Sequence, residues 1–206
     1  MLQYITNTQC DRPVTEQIKA VLNGGCKWIQ IRMKDASDEE IQKVVEEVKP
    51  IAAEKGAFLV LDDRVELCEK LELTGVHLGK NDMLPAQARV KLGPLAIIGV
   101  TANTFDDVIA VRSLDVDYIG IGPFRHTLTK ENLSPILGID GIKTICKEME
   151  SNGIEIPRVA VGGIKTEDVK SLLDAGCNGI AVSGAIAFAD DMEAETRKFI
   201  SLLPIF

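Results

Sequence analysis

A closed (β/α)8 barrel is the fold this sequence predicts, on three observations. Eight short apolar runs alternate with eight longer amphipathic runs in strict strand-then-helix order. The approaches to four of the strands, NGGCKWIQI, LELTGVHL, SLDVDYIGI and DAGCNGIAV, resemble one another as weak internal repeats. Ionisable and glycine residues gather just beyond the strand ends, where right-handed crossovers place every C-terminal strand end on one rim. An open doubly wound sheet fits the repetition less well. The expectation is one TIM-barrel domain over residues 1–206.

The predicted strands are residues 2–6, 27–32, 57–62, 75–78, 96–100, 117–122, 158–163 and 179–184. They lack clean polar alternation, as strands buried on both faces should. The clearest helix is SDEEIQKVVEEVKPIAAEKG, residues 37–56. Ser37 is placed to cap it, Glu40 to complete a capping box, and Gly56 to close it. Further helices are expected over 13–24, 64–72, 85–92, 105–114, 139–152, 166–175 and 191–203, with Thr166, Glu167 and Asp168 signalling a helix start.

Composition excludes several classes of function. The 206 residues are 46% hydrophobic and 26% charged, which suits a globular domain. With 31 acidic against 23 basic residues the net charge is −8, and no basic block invites nucleic acid. No apolar run approaches the roughly 18 residues of a membrane span, and MLQYITNTQC has no leader pattern. Five scattered cysteines without C-x-x-C spacing argue against zinc or a disulfide framework. They read as buried small residues of a cytoplasmic protein, monomeric or a small homo-oligomer.

The strand ends carry the chemistry. Gln30, Arg32 and Lys34 follow the second strand, and Asp62, Asp63 and Arg64 the third. HLGKND (77–82) follows the fourth, and Thr101 and Asn103 the fifth. Arg32 and Lys34 alternate along an extended segment, so both can face the rim and neutralise a phosphate-rich ligand. The Asp62–Asp63 pair and Asp82 are hard oxygen donors on neighbouring strands, suited to Mg2+ shared with phosphate. Gly162 and Gly163 let the backbone approach an anion, and Ser183 and Gly184 offer N–H groups at a helix start. Of the two histidines, His77 reads as packed and hydrogen-bonded, and His126 as the better candidate for proton transfer. The loop GPFRHTLTK (122–130) joins amides, hydroxyls and one ammonium, which suits wrapping phosphate.

Seven segments, IQIRMKD, LVLDDRVEL, GVHLGKNDM, IIGVTANT, DYIGIGPFRHTLTK, VAVGGI and GIAVSGAI, resemble in order the motifs of thiamine-phosphate synthases and their TenI-like relatives. The resemblance covers essentially the whole chain. It implies a transferase joining hydroxymethylpyrimidine diphosphate to thiazole phosphate and releasing pyrophosphate. It further implies that Gln30, Ile31, Arg32, Met33, Lys34, Asp62, Thr101 and Lys130 serve the pyrimidine diphosphate. Asp63 and Asp82 would ligate Mg2+. Thr127, Leu128, Thr129, Gly163, Ser183 and Gly184 would hold the thiazole phosphate, and Arg32, Lys34 and Lys130 would stabilise the leaving group.

Six departures from the family pattern bear on this reading. Asp62 stands where asparagine is usual, Lys80 for glutamine, and Thr101 and Gly184 for serine. Arg125 and His126 occupy loop positions more often apolar or proline. Lys80 is placed to offset the added charge of Asp62. The rival enzyme is a TenI-like thiazole tautomerase, whose proton-transfer histidine directly follows the strand glycine, where this chain has Pro123. A non-catalytic ligand-binding relative and a sugar-phosphate epimerase are the remaining alternatives.

Overall fold

The computed structural model describes residues 1–126 and 135–204. Eight parallel strands close on themselves: β1 (Leu2–Ile5), β2 (Trp28–Ile31), β3 (Phe58–Asp62), β4 (Gly75–Leu78), β5 (Ile97–Ala102), β6 (Tyr118–Ile121), β7 (Arg158–Val161) and β8 (Gly179–Val182). Each pairs with the next, and Leu2 pairs with Ile180 to seal the barrel. All eight strands fall within two residues of the segments expected from sequence.

The strands do alternate, in a way hydropathy alone conceals. Outward positions such as Ile29, Ile31, Leu59, Leu61, Ile98, Val100, Ile119 and Ile180 are aliphatic and pack under the helices. Inward positions carry a separate cluster of Trp28, Val60, Tyr118, Val159 and Ala181 that plugs the barrel. Trp28 meets Tyr118 edge-on with ring centroids 4.7 Å apart. Towards the rim the inward positions become Gln30, Asp62, His77 and Thr101. Both faces are buried, yet only one is apolar throughout.

The helices are α1 (Val14–Asn23), α2 (Asp38–Glu54), α3 (Val65–Lys70), α4 (Pro85–Leu92), α5 (Phe105–Val111), α6 (Gly138–Ser151), α7 (Val169–Asp174), α8 (Gly184–Ala187) and α9 (Met192–Ser201). The expected capping box on α2 is present: Ser37 Oγ accepts from Glu40 N, and Glu40 accepts from Ser37 N. Gly56, with φ +61°, turns the chain out of the helix. Two helix expectations are corrected. Thr166 is not a cap but the first residue of a 3-10 turn, Thr166–Asp168, preceding α7. The short α8 adds a turn immediately after β8. Cys26, Cys68, Cys146 and Cys177 are buried and Cys10 is half-buried, all as free thiols.

Candidate active site

The β2–β3 rim gathers opposite charges. Gln30, buried, donates through Nε2 to Asp62 Oδ1 at 2.6 Å. Asp62 Oδ2 lies 2.9 Å from Lys34 Nζ and 3.6 Å from Arg32 Nε. These are charge contacts rather than well-aligned hydrogen bonds, because that buried oxygen has no aligned donor among the described residues. Lys34 also pairs with Asp63, whose other oxygen is 3.3 Å from Arg64 Nε. Burial pushes the Lys34 ammonium down, but the carboxylates of Asp62 and Asp63 outweigh it and hold the group above its ordinary value. Side chains from the ends of β2 and β3 therefore converge, with Arg32 and Lys34 on the same side as their alternation predicted.

Asp63 has φ +59°, an unusual conformation for a non-glycine residue, and its N–H donates to His77 O at 2.9 Å. In the loop that follows the next strand Asp82 folds back: its Oδ2 accepts from Gly79 N at 2.6 Å. Asp63 and Asp82 thus lie in the segments that follow two adjacent strands, β3 and β4. Ile31 is fully buried among the helix-facing aliphatics, and Met33 packs partly against them, so Ile31 offers a rim ligand only its backbone.

Lys80 does not offset Asp62. It reaches Asp107 in the first turn of α5 at 2.6 Å. Asp107 also accepts from the N–H groups of Asn103 and Thr104. Burial pushes the Asp107 carboxyl up, and Lys80 with those backbone donors more than reverses it, leaving it below the ordinary range.

Loops after β6 and β7 are knitted together. Phe124 N donates to Val161 O and Arg125 N to Gly162 O. The Arg125 guanidinium forks onto Asp168, with Nη1–Oδ2 and Nη2–Oδ1 both 2.9 Å, and also donates to Gly163 O. Gly162 and Gly163 have φ of +104° and +65°, and a Cβ on Gly163 would stand 3.0 Å from Arg125 Cβ and His126 O. Arg125, a departure from the family pattern, is therefore a strap between two rim loops. His126 is exposed. Thr127, Leu128, Thr129 and Lys130 lie outside the described residues.

After β8, Ser183 precedes the first turn of α8, which Gly184 opens. Ser183 Oγ accepts from Asn7 Nδ2 at 3.2 Å. Asn7 belongs to a β1–α1 loop that sequence reasoning passed over. Gln17, fully buried, organises that loop by bonding Tyr4 OH, Asn7 N, Asn7 O and Arg12 O. Thr6 bonds both N and O of Arg32. The available signal was three polar residues, Thr6, Asn7 and Gln17, flanking the first strand end.

Residues 2–186 match the model of the family described as thiamine monophosphate synthase. The chain belongs to that family. A thiamine-phosphate synthase of Bacteroides thetaiotaomicron is 53% identical over 202 residues, 98% of this chain and 96% of the relative. One from Pyrococcus abyssi is 31% identical over 200 residues, 97% and 93% of the two chains. The solved thiamine phosphate pyrophosphorylase of Pyrococcus furiosus superposes with a TM-score of 0.85 at 28% identity, covering 98% of this chain and 94% of that one. The barrel, the family and an enzyme of thiamine phosphate synthesis, all expected from the sequence motifs, hold. No helix among the described residues is long and apolar enough to cross a membrane.

Proposed function

We propose that the rim divides the work of joining hydroxymethylpyrimidine diphosphate to thiazole phosphate. The β2–β4 side takes the diphosphate, and the β6–β8 side takes the thiazole monophosphate. The observation that carries this division is the convergence of Arg32 and Lys34 on Asp62 and Asp63 after β2 and β3, while Gly162 and Gly163, at positive φ, follow β7 and the β1 strand stands between β2 and β8.

The methylene C–O bond breaks and its electron pair leaves with pyrophosphate. The resulting pyrimidine-stabilised cation is captured by the thiazole nitrogen lone pair, which forms the new C–N bond. Arg32, Lys34 and Lys130 stabilise charge growing on the departing oxygens. No protein nucleophile is required. Gln30, held by Asp62, orients the pyrimidine, and Asp62 keeps Arg32 and Lys34 at the strand end. Thr127, Leu128, Thr129, Gly163, Ser183 and Gly184 hold the thiazole phosphate, the last two through the turn that opens α8.

Asp63 and Asp82 fit Mg2+, a hard cation typically held by one or two carboxylates, waters and substrate phosphate. They are hard oxygen donors in the segments that follow adjacent strands, and Mg2+ there would neutralise the diphosphate as a Lewis acid. The phosphorylated substrates are small molecules, and we place the enzyme in the cytoplasm as one domain. Purified protein supplied with both substrates and Mg2+ should yield thiamine phosphate by mass spectrometry. Isomerisation of a thiazole carboxylate phosphate without any thiamine phosphate would favour the tautomerase instead.

A further inference from the structure

A chain of polar side chains rises through the barrel interior, past the apolar plug of Trp28, Val60, Val159 and Ala181. Gln3, 2% exposed, and Tyr118, 3% exposed, sit at its buried end. Gln3 Nε2 donates to Tyr118 OH at 3.0 Å. Tyr118 OH stands 2.9 Å from His77 Nδ1, and His77 Nε2 stands 2.9 Å from Thr101 Oγ1. His77 and Thr101 are half-buried, so the chain runs from a sealed interior to the barrel mouth.

The sequence clears a path for it. Gly99 lies beside Tyr118, and a Cβ there would come within 2.0 Å of the tyrosine ring. A Cβ on Gly120 would press to 3.2 Å from His77 Cε1. Two strand glycines, which weaken a strand in isolation, make room for two large polar residues. A plug of aliphatic residues would fill the same space without any such accommodation.

Donor and acceptor chemistry gives the chain a direction. An amide nitrogen only donates, so Tyr118 accepts from Gln3. Burial pushes the Tyr118 hydroxyl far above its ordinary range, so it keeps its proton. That proton is satisfied by the unprotonated Nδ1 of His77, which leaves the hydrogen on Nε2. Nε2–H then donates to Thr101. Because Thr101 accepts from inside, its own hydrogen is left to donate at the mouth. Leu78 pairs with Val100, so Thr101 follows beside the turn where Asp82 binds Gly79 N.

We propose that this relay commits the Thr101 hydroxyl as a donor to an oxygen of the pyrimidine diphosphate, with His77 and Tyr118 as positioning residues. The proposal rests on the reaction given above. It assigns to the barrel interior a role in substrate orientation, and to His77 a fixed tautomer rather than proton transfer.

Nitrogen-15 NMR of the full chain reads the tautomer without turnover. The signals lost in His77→Gln should show a neutral ring with hydrogen on Nε2 and none on Nδ1. A ring carrying its hydrogen on Nδ1 would overturn the relay. In parallel, Thr101→Val should weaken binding of the pyrimidine diphosphate by ~10-fold or more by calorimetry, the scale of a lost hydrogen bond to a charged group. Thr101→Ser should restore it. Tyr118→Phe should mix the tautomers and lower kcat/KM for the pyrimidine diphosphate by ~3–10-fold, leaving KM for thiazole phosphate unchanged. An unaltered tautomer in Tyr118→Phe, or full binding by Thr101→Val, defeats the proposal. If wild type forms no thiamine phosphate, the assigned reaction fails separately, because the spectrum and calorimetry need no product.

Discussion

The β2–β4 rim and the β6–β8 rim, to which the proposed function assigns the two phosphorylated substrates, are built from different materials. The first uses side-chain charge: Arg32 and Lys34 answered by Asp62 and Asp63. The second uses backbone: Gly162 and Gly163 at positive φ, and Ser183 leading into a helical turn. Partly buried charged side chains lose some of their hydration, so each is tied to a counter-charge. A backbone cradle needs no counter-charge but needs its loops fixed, and Arg125 on Asp168 fixes them. The contrast suits a diphosphate that must accept more charge as it leaves and a monophosphate that is merely held.

Removing metal should break the charged side most severely. Chelation, or Asp63→Asn or Asp82→Asn, is expected to lower kcat by ~10²-fold or more, the scale of lost charge stabilisation in a transition state. Retention of full turnover after chelation would remove Mg2+ from the account.

Lys130→Ala should follow, with kcat down by ~10²-fold because one cation no longer meets the leaving pyrophosphate. His126→Ala should be mild, since ionisation takes no proton from the substrate. A tautomerase would reverse this ranking, with loss of His126 lowering the rate by about 10²–10⁴-fold. Assaying both variants in both reactions separates the enzymes.

On the backbone side, Gly163→Ala should raise KM for thiazole phosphate by ~10-fold, through strain at φ +65° and contact with Arg125 and His126 O. Its effect is double, on loop and ligand, so a folded variant with unchanged KM would place the phosphate elsewhere.

Asp168→Asn tests the strap itself and should have the smallest effect. Burial pushes the Asp168 carboxyl up, but Arg125 and the Lys165 N–H outweigh it and leave the group depressed. A depressed carboxyl stabilises the fold above its unfolded value, near pH 4, and loses that contribution as pH falls through the folded value. The Tm gap between wild type and Asp168→Asn should therefore be widest near neutrality and close in acid. A gap independent of pH would contradict the ion pair.

The sequence displayed the charged rim more openly than the backbone rim. Arg32, Lys34 and Asp62 announce their chemistry by residue type, and alternation told which way Arg32 and Lys34 face. Glycines at 162 and 163 pointed to close approach, but not to the loop that approaches them. Lys80 was misjudged because its partner, Asp107, is 27 positions away and joins it only through the β4–β5 pairing. The interior relay was invisible for the same reason: Gln3, His77, Thr101 and Tyr118 lie on four strands, and only barrel closure brings them together. Period-two alternation was present all along, hidden because tryptophan, tyrosine and glycine on the inner face do not register as polar.

The division of the rim is tested most directly by calorimetry of each substrate alone, with Mg2+, against Lys34→Ala and Ser183→Ala. The account predicts a crossed result. Lys34→Ala should weaken the pyrimidine diphosphate and spare the thiazole phosphate, while Ser183→Ala should do the opposite. Equal weakening of both ligands by either variant, or the reverse assignment, would contradict it.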